Sequence, residues 1–345
     1  MRLFASLGVL QYHLWQNSLG LAIGHPGTDF FLVLVGAVAA ITEARRFSAG
    51  NWFGYLKARY IRLYVTFIPL FLLSLIFKRN ELTLDWALRS FFFIPIPDRF
   101  PVIGATWMLS FFMLFYFVVC IGILFRREGV LLGILAVWTV GVVARVWLGW
   151  RPPIPEEVQA FLFNERNLNF VFGYLAGMLI REERVHLTPA RWIFTIGLIG
   201  TVAGTALLNL TTLANGRSLY LGIPVTLFVI GLASMEQNLS TDAITRFATS
   251  RPMVWLGGTS YVLFLSHSIF INAWEVVLPV SPILVPLITI GAIIFAALIY
   301  YFWEEPVLKF TKTKEFVFPK FPRFHKAQRQ SSGLPAATNV SSRPR

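Results

Sequence analysis

Cysteine is almost absent: Cys120 stands alone among 345 residues. One thiol excludes a disulfide framework and a thiolate metal cluster, and its place in an apolar run makes packing its expected role. Charge is scarce too, at 14% of the chain against 56% hydrophobic residues, with a mean hydropathy of +0.65. A soluble domain carries about a quarter charged residues, so a soluble fold is excluded. Acids are the scarcer sign, 17 Asp and Glu against 30 Lys and Arg, for a net charge of +13. There is no G-x-S-x-G elbow, no H-E-x-x-H, no P-loop and no D-x-D-like metal pair at the end of an apolar run, so no metal site is expected. Chemistry is left to histidine, arginine and a bound cosubstrate.

What the chain has in quantity is apolar sequence in runs of membrane-crossing length, near residues 3–23, 27–43, 61–77, 104–125, 130–149, 168–180, 190–209, 218–235, 253–274 and 281–303. None shows the period-2 alternation of a barrel strand, and helices satisfy their own backbone groups in lipid. The expectation is an all-α polytopic transmembrane bundle of about ten spans, the sixth short. The first run is not a secretory signal, because no small-residue cleavage site follows it. Alternate loops collect about 22 of the basic residues, the others about 7, and Arg145 falls inside a run. By the positive-inside rule both termini are cytoplasmic. The loop 78–103, with its prolines and mixed charge, reads as a partly structured cap. Residues 1–306 form the expected membrane domain. Residues 307–345 form a basic, then low-complexity, disordered cytoplasmic tail that can lean on anionic lipid heads at about 1 kcal/mol per cation. A short basic tail does not make a nucleic-acid partner. Composition leaves two classes open, an intramembrane enzyme and a transporter or lipid/glycan flippase.

Ionisable groups inside spans are costly and are the default functional candidates. Arg2 and His13 are eleven steps apart, about 20° from three whole turns, so they share one stripe of the first helix about 16 Å apart. His13 reads either as a structural histidine between helices or as a reactive one. In "GHPGTDFF", Asp29 opens the second span, where it caps the helix, orients an imidazole or receives a sugar hydroxyl; His25, in the connecting loop, is left out of the chemistry. In "YLKARYIRL", Arg59 and Arg62 share one helical face, with Lys57 just before them. They serve as topology markers or as a paired guanidinium site for a pyrophosphate. In "WLGGTSYVLFLSHSIF", His267 reads first as a buried histidine bonded to a neighbouring helix and second as part of a site, with Ser260 and Tyr261 before it. "TWMLSFFMLFY" adds Trp107, Ser110 and Tyr116.

These stretches together resemble the acyltransferase-3 family of bacterial inner-membrane O-acyltransferases, closest in layout to the short exopolysaccharide O-acetyltransferases. The family's arginine, ten residues, then histidine is matched by Arg2 and His13. Its G-x-D-x-F-F element resembles Gly27, Asp29, Phe30 and Phe31, and its R-x-x-R is matched by Arg59 and Arg62. The late G-x-x-S-Y-x-L-Y-L-x-H pattern is matched by Gly257, Ser260, Tyr261, Leu263, Leu265 and His267, and an E-x-P element by Glu304, Glu305 and Pro306. Two departures stand out: Val35-Gly36 replaces a serine-glycine pair, and Phe112 occupies the position of a glutamate, which leaves a changed acceptor or lost activity open if that glutamate handles a proton or binds the acceptor. The family also carries residues before its first arginine, so a minimal N-terminus or a start placed late is expected. The resemblance implies a multi-pass protein of the bacterial inner membrane that moves an acyl group, acetyl or another, from cytoplasmic acetyl-CoA or a related acyl-CoA to a hydroxyl of a polysaccharide or lipid-linked glycan. Coenzyme A phosphates would dock at Arg59 and Arg62 with Lys57 assisting. His13, whose ordinary pKa is near 6.5, would act as general base or acyl relay beside Asp29. Arg2, Ser110, Tyr261 and His267 would support, Ser110 or Tyr261 by stabilising an oxyanion.

Overall fold

The computed structural model describes residues 1–96, 99–210, 216–238 and 250–311, and within them every regular element is helical. The chain runs through α1 (Arg2–Leu19), α2 (Gly27–Thr42), α3 (Ala44–Ala49), α4 (Trp52–Phe77), α5 (Leu84–Phe91), α6 (Trp107–Leu124), α7 (Glu128–Trp147) and α8 (Glu156–Leu162). It continues through α9 (Asn167–Arg181), α10 (Leu187–Leu210), α11 (Ile223–Asn238), α12 (Arg251–Glu275), α13 (Val285–Ile299) and α14 (Glu305–Phe310). Two π-helical turns, Ser218–Gly222 before α11 and Tyr300–Glu304 after α13, mark places where the ladder widens by one residue. Local chemistry sets the ends. α1 stops at Gly20, whose φ of 70° suits a residue without a side chain and whose N–H closes on Gln16 and Trp15 carbonyls. α4 starts at Asn51, whose side chain accepts the Gly54 N–H at 2.9 Å.

Each of the ten apolar windows falls on a helix. Among the described residues, seven stretches are long and apolar enough to cross a membrane: Trp52–Phe77, Gly104–Leu124, Glu128–Trp147, Leu187–Leu210, Ser218–Glu236, Pro252–Glu275 and Val285–Phe310. By helix composition this is a multi-pass membrane protein. The remaining three windows fall short for separate reasons. α2 is apolar but has 16 residues, α9 has 15, and α1 is diluted by Ser6, Gln11, His13, Gln16 and Asn17. Where a partly structured loop is expected at 78–103, the described residues hold the short helix α5 (Leu84–Phe91). This helix buries Trp86, whose Nε1 donates to Phe100 O at 3.0 Å, and Tyr64 from α4 donates to Phe91 O at 2.8 Å. The tail expected from 307 begins inside α14, and residues 312–345 lie outside the described residues.

The site is positioned by two contacts. α2 packs along α9, and the crossing needs glycine on both sides: a Cβ at Gly36 would run into the Phe170 carbonyl, and one at Gly173 into that of Val33. The Val35-Gly36 departure therefore keeps the glycine that brings the two backbones together. α1 lies against α12 and α2, with Leu10 and Leu14 fully buried beside Val262, Leu263 and Ile288. Truncating either leucine would cost about 2–5 kcal/mol. Ser6 fixes the register by donating to the Ser260 carbonyl at 2.6 Å.

Candidate active site

At the start of α1, three arginines gather around one phenol. Arg59 lies over the rings of Tyr55 and Tyr116, with centroid distances of 5.2 and 5.5 Å, and Arg2 and Arg62 are both within electrostatic reach of the Tyr116 hydroxyl. Each of the R-x-x-R guanidiniums already holds a carboxylate. Arg59 Nη2 donates to Glu43 Oε1 at 2.5 Å, and Arg62 Nη1 pairs with Glu304 Oε1 at 3.0 Å. Glu304 is fully buried in the π-helical turn and takes the Thr66 hydroxyl at 2.6 Å on its other oxygen. The E-x-P element thereby anchors an arginine of the pair. A guanidinium has five N–H donors in a planar fork, so it can hold a carboxylate and an incoming anion together. Lys57 is exposed two residues before Arg59 on α4.

About 16 Å along α1, His13 lies half-buried with its ring stacked on that of His267, centroids 5.1 Å apart and planes 30° from parallel. The two are distant in sequence and meet because α1 packs on α12. His267 is almost fully buried, and its Nδ1 lies 2.6 Å from the Phe264 carbonyl. A carbonyl only accepts, so Nδ1 carries the proton and, in the neutral ring, Nε2 bears a lone pair. That Nε2 is buried and has no partner among the described residues. The rings thus form a paired imidazole site.

Beyond His13 the chain closes a charged knot that the spacing of residues does not reveal. Asp29 is fully buried and receives Arg217 on both oxygens, at 2.6 and 3.3 Å, plus the Asn169 side-chain amide at 2.8 Å. The same guanidinium reaches the His25 carbonyl at 3.1 Å, and its Nη1 lies 2.8 and 2.9 Å from the two ring nitrogens of His25. His25 in turn stacks on Tyr12 at 4.5 Å, one residue before His13. Asp29 is placed on Arg217, and among the described residues no hydrogen bond joins it to His13. The remaining sequence candidates divide. Tyr261 sits at the arginine end, its hydroxyl donating to Leu63 O at 3.1 Å and within reach of Arg62 and Glu304. Ser110 is buried on α6, one turn after Trp107, and Phe112 is buried against Phe170. Among the described residues no group of three or more His, Cys, Asp or Glu side chains is placed to hold a metal ion.

Burial, and then the Arg217 charge, lowers the His25 pKa from 6.5 to about 4. The unfolded chain takes up this proton near 6.5 and the folded chain only near 4. The imidazole's contribution is therefore complete above pH 6.5 and lost as pH falls toward 4. Glu165, whose carboxyl burial pushes up, works in the opposite direction. Thermal unfolding of wild type and His25→Asn between pH 7 and 4 isolates the imidazole. Wild type is expected to lose on the order of 2 kcal/mol more than the variant, discounting for the ring's partial exposure. Parallel curves would remove His25 from the buried knot.

The chain was also compared with known proteins. Residues 1–301 match a family model described as an acyltransferase domain, acyltransferase-3. The chain is 27% identical over 270 residues to the exopolysaccharide production protein ExoZ of Rhizobium meliloti (strain 1021), covering 72% of this chain and 77% of that protein. No solved structure matches it.

Proposed function

From a chain that belongs to the acyltransferase-3 family, we infer a membrane O-acyltransferase that carries an acyl group, acetyl in the simplest case, from cytoplasmic acyl-CoA to a hydroxyl of an exported or lipid-linked polysaccharide. The supporting observation is the layout of α1. Its first residue joins the Arg59–Arg62–Tyr116 cluster, and the same stripe delivers His13 to His267. The name of the similar ExoZ protein supports an exopolysaccharide as acceptor. The reading includes ten crossings with both termini in the cytoplasm of a bacterial inner membrane, α1, α2 and α9 being the short or polar members.

In this reading the guanidinium forks of Arg59 and Arg62, with Lys57 at the mouth, take the phosphates of coenzyme A. The pantetheine arm runs beside α1 and presents the thioester to the imidazole pair. His13 accepts the proton of the acceptor hydroxyl as its oxygen attacks the thioester carbonyl; the C–S bond breaks and coenzyme A leaves as its thiol, taking that proton back. In the relay variant the neutral His13 ring attacks the thioester carbonyl, the C–S bond breaks and coenzyme A leaves as its thiol with the ring's proton; the acceptor hydroxyl then takes the acyl group and returns its proton to the ring. Ser110 belongs to this reading as an oxyanion donor, while Tyr261 braces the arginine end. Arg59→Ala is expected to raise the acyl-CoA KM about tenfold or more with a smaller change in kcat. An unchanged KM would take the phosphates away from this arginine.

A further inference from the structure

Arg166 stands just before α9 with its guanidinium carbon 5.2 Å from the ring centroid of Trp107. The charged groups around it are engaged elsewhere. Arg217 holds Asp29 and His25. Glu165 takes the Gly216 N–H on its carboxylate and the Ser218 hydroxyl on its carbonyl. Among the described residues no carboxylate lies within ion-pair distance of Arg166, and its Nε is buried without an acceptor. One turn further along the same face of α9, Asn169 Oδ1 is also buried without a partner. An unmet buried donor costs about 1–3 kcal/mol, more when charged, and such a group calls for a partner.

We propose that Arg166 and the face of Trp107 form an acceptor subsite that recognises a carboxylate borne by the sugar, as in a uronic acid residue. The proposal rests on the glycan-acylation reading above. The planar guanidinium fork matches a carboxylate through two parallel hydrogen bonds. Arg217, the neighbouring guanidinium, is already neutralised by Asp29, so the place suits a monoanion better than a pyrophosphate. Trp107 offers an apolar ring face for the sugar's C–H groups and an indole N–H at its edge for a hydroxyl. Arg166 and His13 both act electrostatically on the same loop residue, His25. A sugar held there by its carboxylate would present a hydroxyl toward the imidazole pair.

The test is equilibrium binding to the full-length protein in lipid nanodiscs, without any acyl donor, using cellobiouronic acid and its neutral counterpart cellobiose as probes. Wild type is expected to bind the acid about tenfold or more tightly than the neutral sugar. Arg166→Gln should erase that preference, Arg166→Lys should keep part of it, and Trp107→Phe should weaken both sugars while leaving the preference. Melting temperatures show that each variant is folded. Equal binding of the two sugars, no binding of the acid, or a preference that survives Arg166→Gln overturns the subsite. Because no donor is present, the two readings fail separately. A carboxylate preference in a protein that acylates nothing keeps the subsite and removes the enzyme reading, whereas acylation without the preference does the reverse.

Discussion

Alanine in place of His13 is expected to lower acyl transfer by about 10²–10⁴-fold, the usual contribution of a positioned general base. A relay mechanism would bring the loss to the upper end, since the covalent step disappears with the ring. The fold should survive. His13 is half-buried, and its ring contacts are Tyr12 on its own helix and His267 across the interface. The residues that anchor α1 in the same interface, Leu10, Leu14 and Ser6, keep their own partners when the ring is removed. Turnover by purified protein, with a melting curve for each variant, separates the two effects. A folded His13→Ala protein with wild-type turnover would remove the histidine from the chemistry. A trapped acyl group on His13 would select the relay, and ternary kinetics with no trapped species would select direct attack.

Removing the Asp29 carboxylate is expected to cost stability rather than turnover alone. Asp29→Ala leaves Arg217 buried with its strongest partner gone, a change that costs about 3–5 kcal/mol when a buried pair is broken from one side. The His25 loop should loosen with it, because the same guanidinium ties down the His25 carbonyl and the Thr28 hydroxyl. Replacing both members, Asp29→Leu with Arg217→Leu, should cost less than the single change, since no charge is stranded. Thermal unfolding in nanodiscs checks both. A double variant less stable than Asp29→Ala, or a single variant that melts like wild type, would contradict the pairing as the source of the effect.

The helices are legible in the sequence because each is a run of apolar residues ended by glycine, proline or charge, and all ten windows fall on helices. Their capacity to span is less so, since hydropathy dilutes where a helix carries site residues: α1 is short of apolar character because it holds Gln11, His13 and Asn17. The resemblance points to Arg2, His13, Arg59, Arg62 and His267, and the fold gathers them at the two ends of one stripe. What stays hidden in the sequence is the partners. Arg217 looks like one of the few basic residues of the less basic side, and nothing near it in sequence points to Asp29, 188 residues away. Glu43 and Glu304 give no sign that each holds one arginine of the pair. His25, which reads as an exposed loop residue, is held in the knot by Arg217 because the short connection after Gly20 folds back against α1. Local pattern reports propensity and periodicity, whereas these contacts depend on which helices become neighbours.

The most direct test of the central claim is mass analysis of cell-envelope and exported glycans from cells with and without this gene. Transfer of an acyl group predicts glycans that carry acyl mass increments in the presence of the protein and lack them in its absence. Identical acylation in both, with unmodified glycan accumulating inside the cells that lack the gene, would contradict the account and make the polar stripe of α1 a path for cargo.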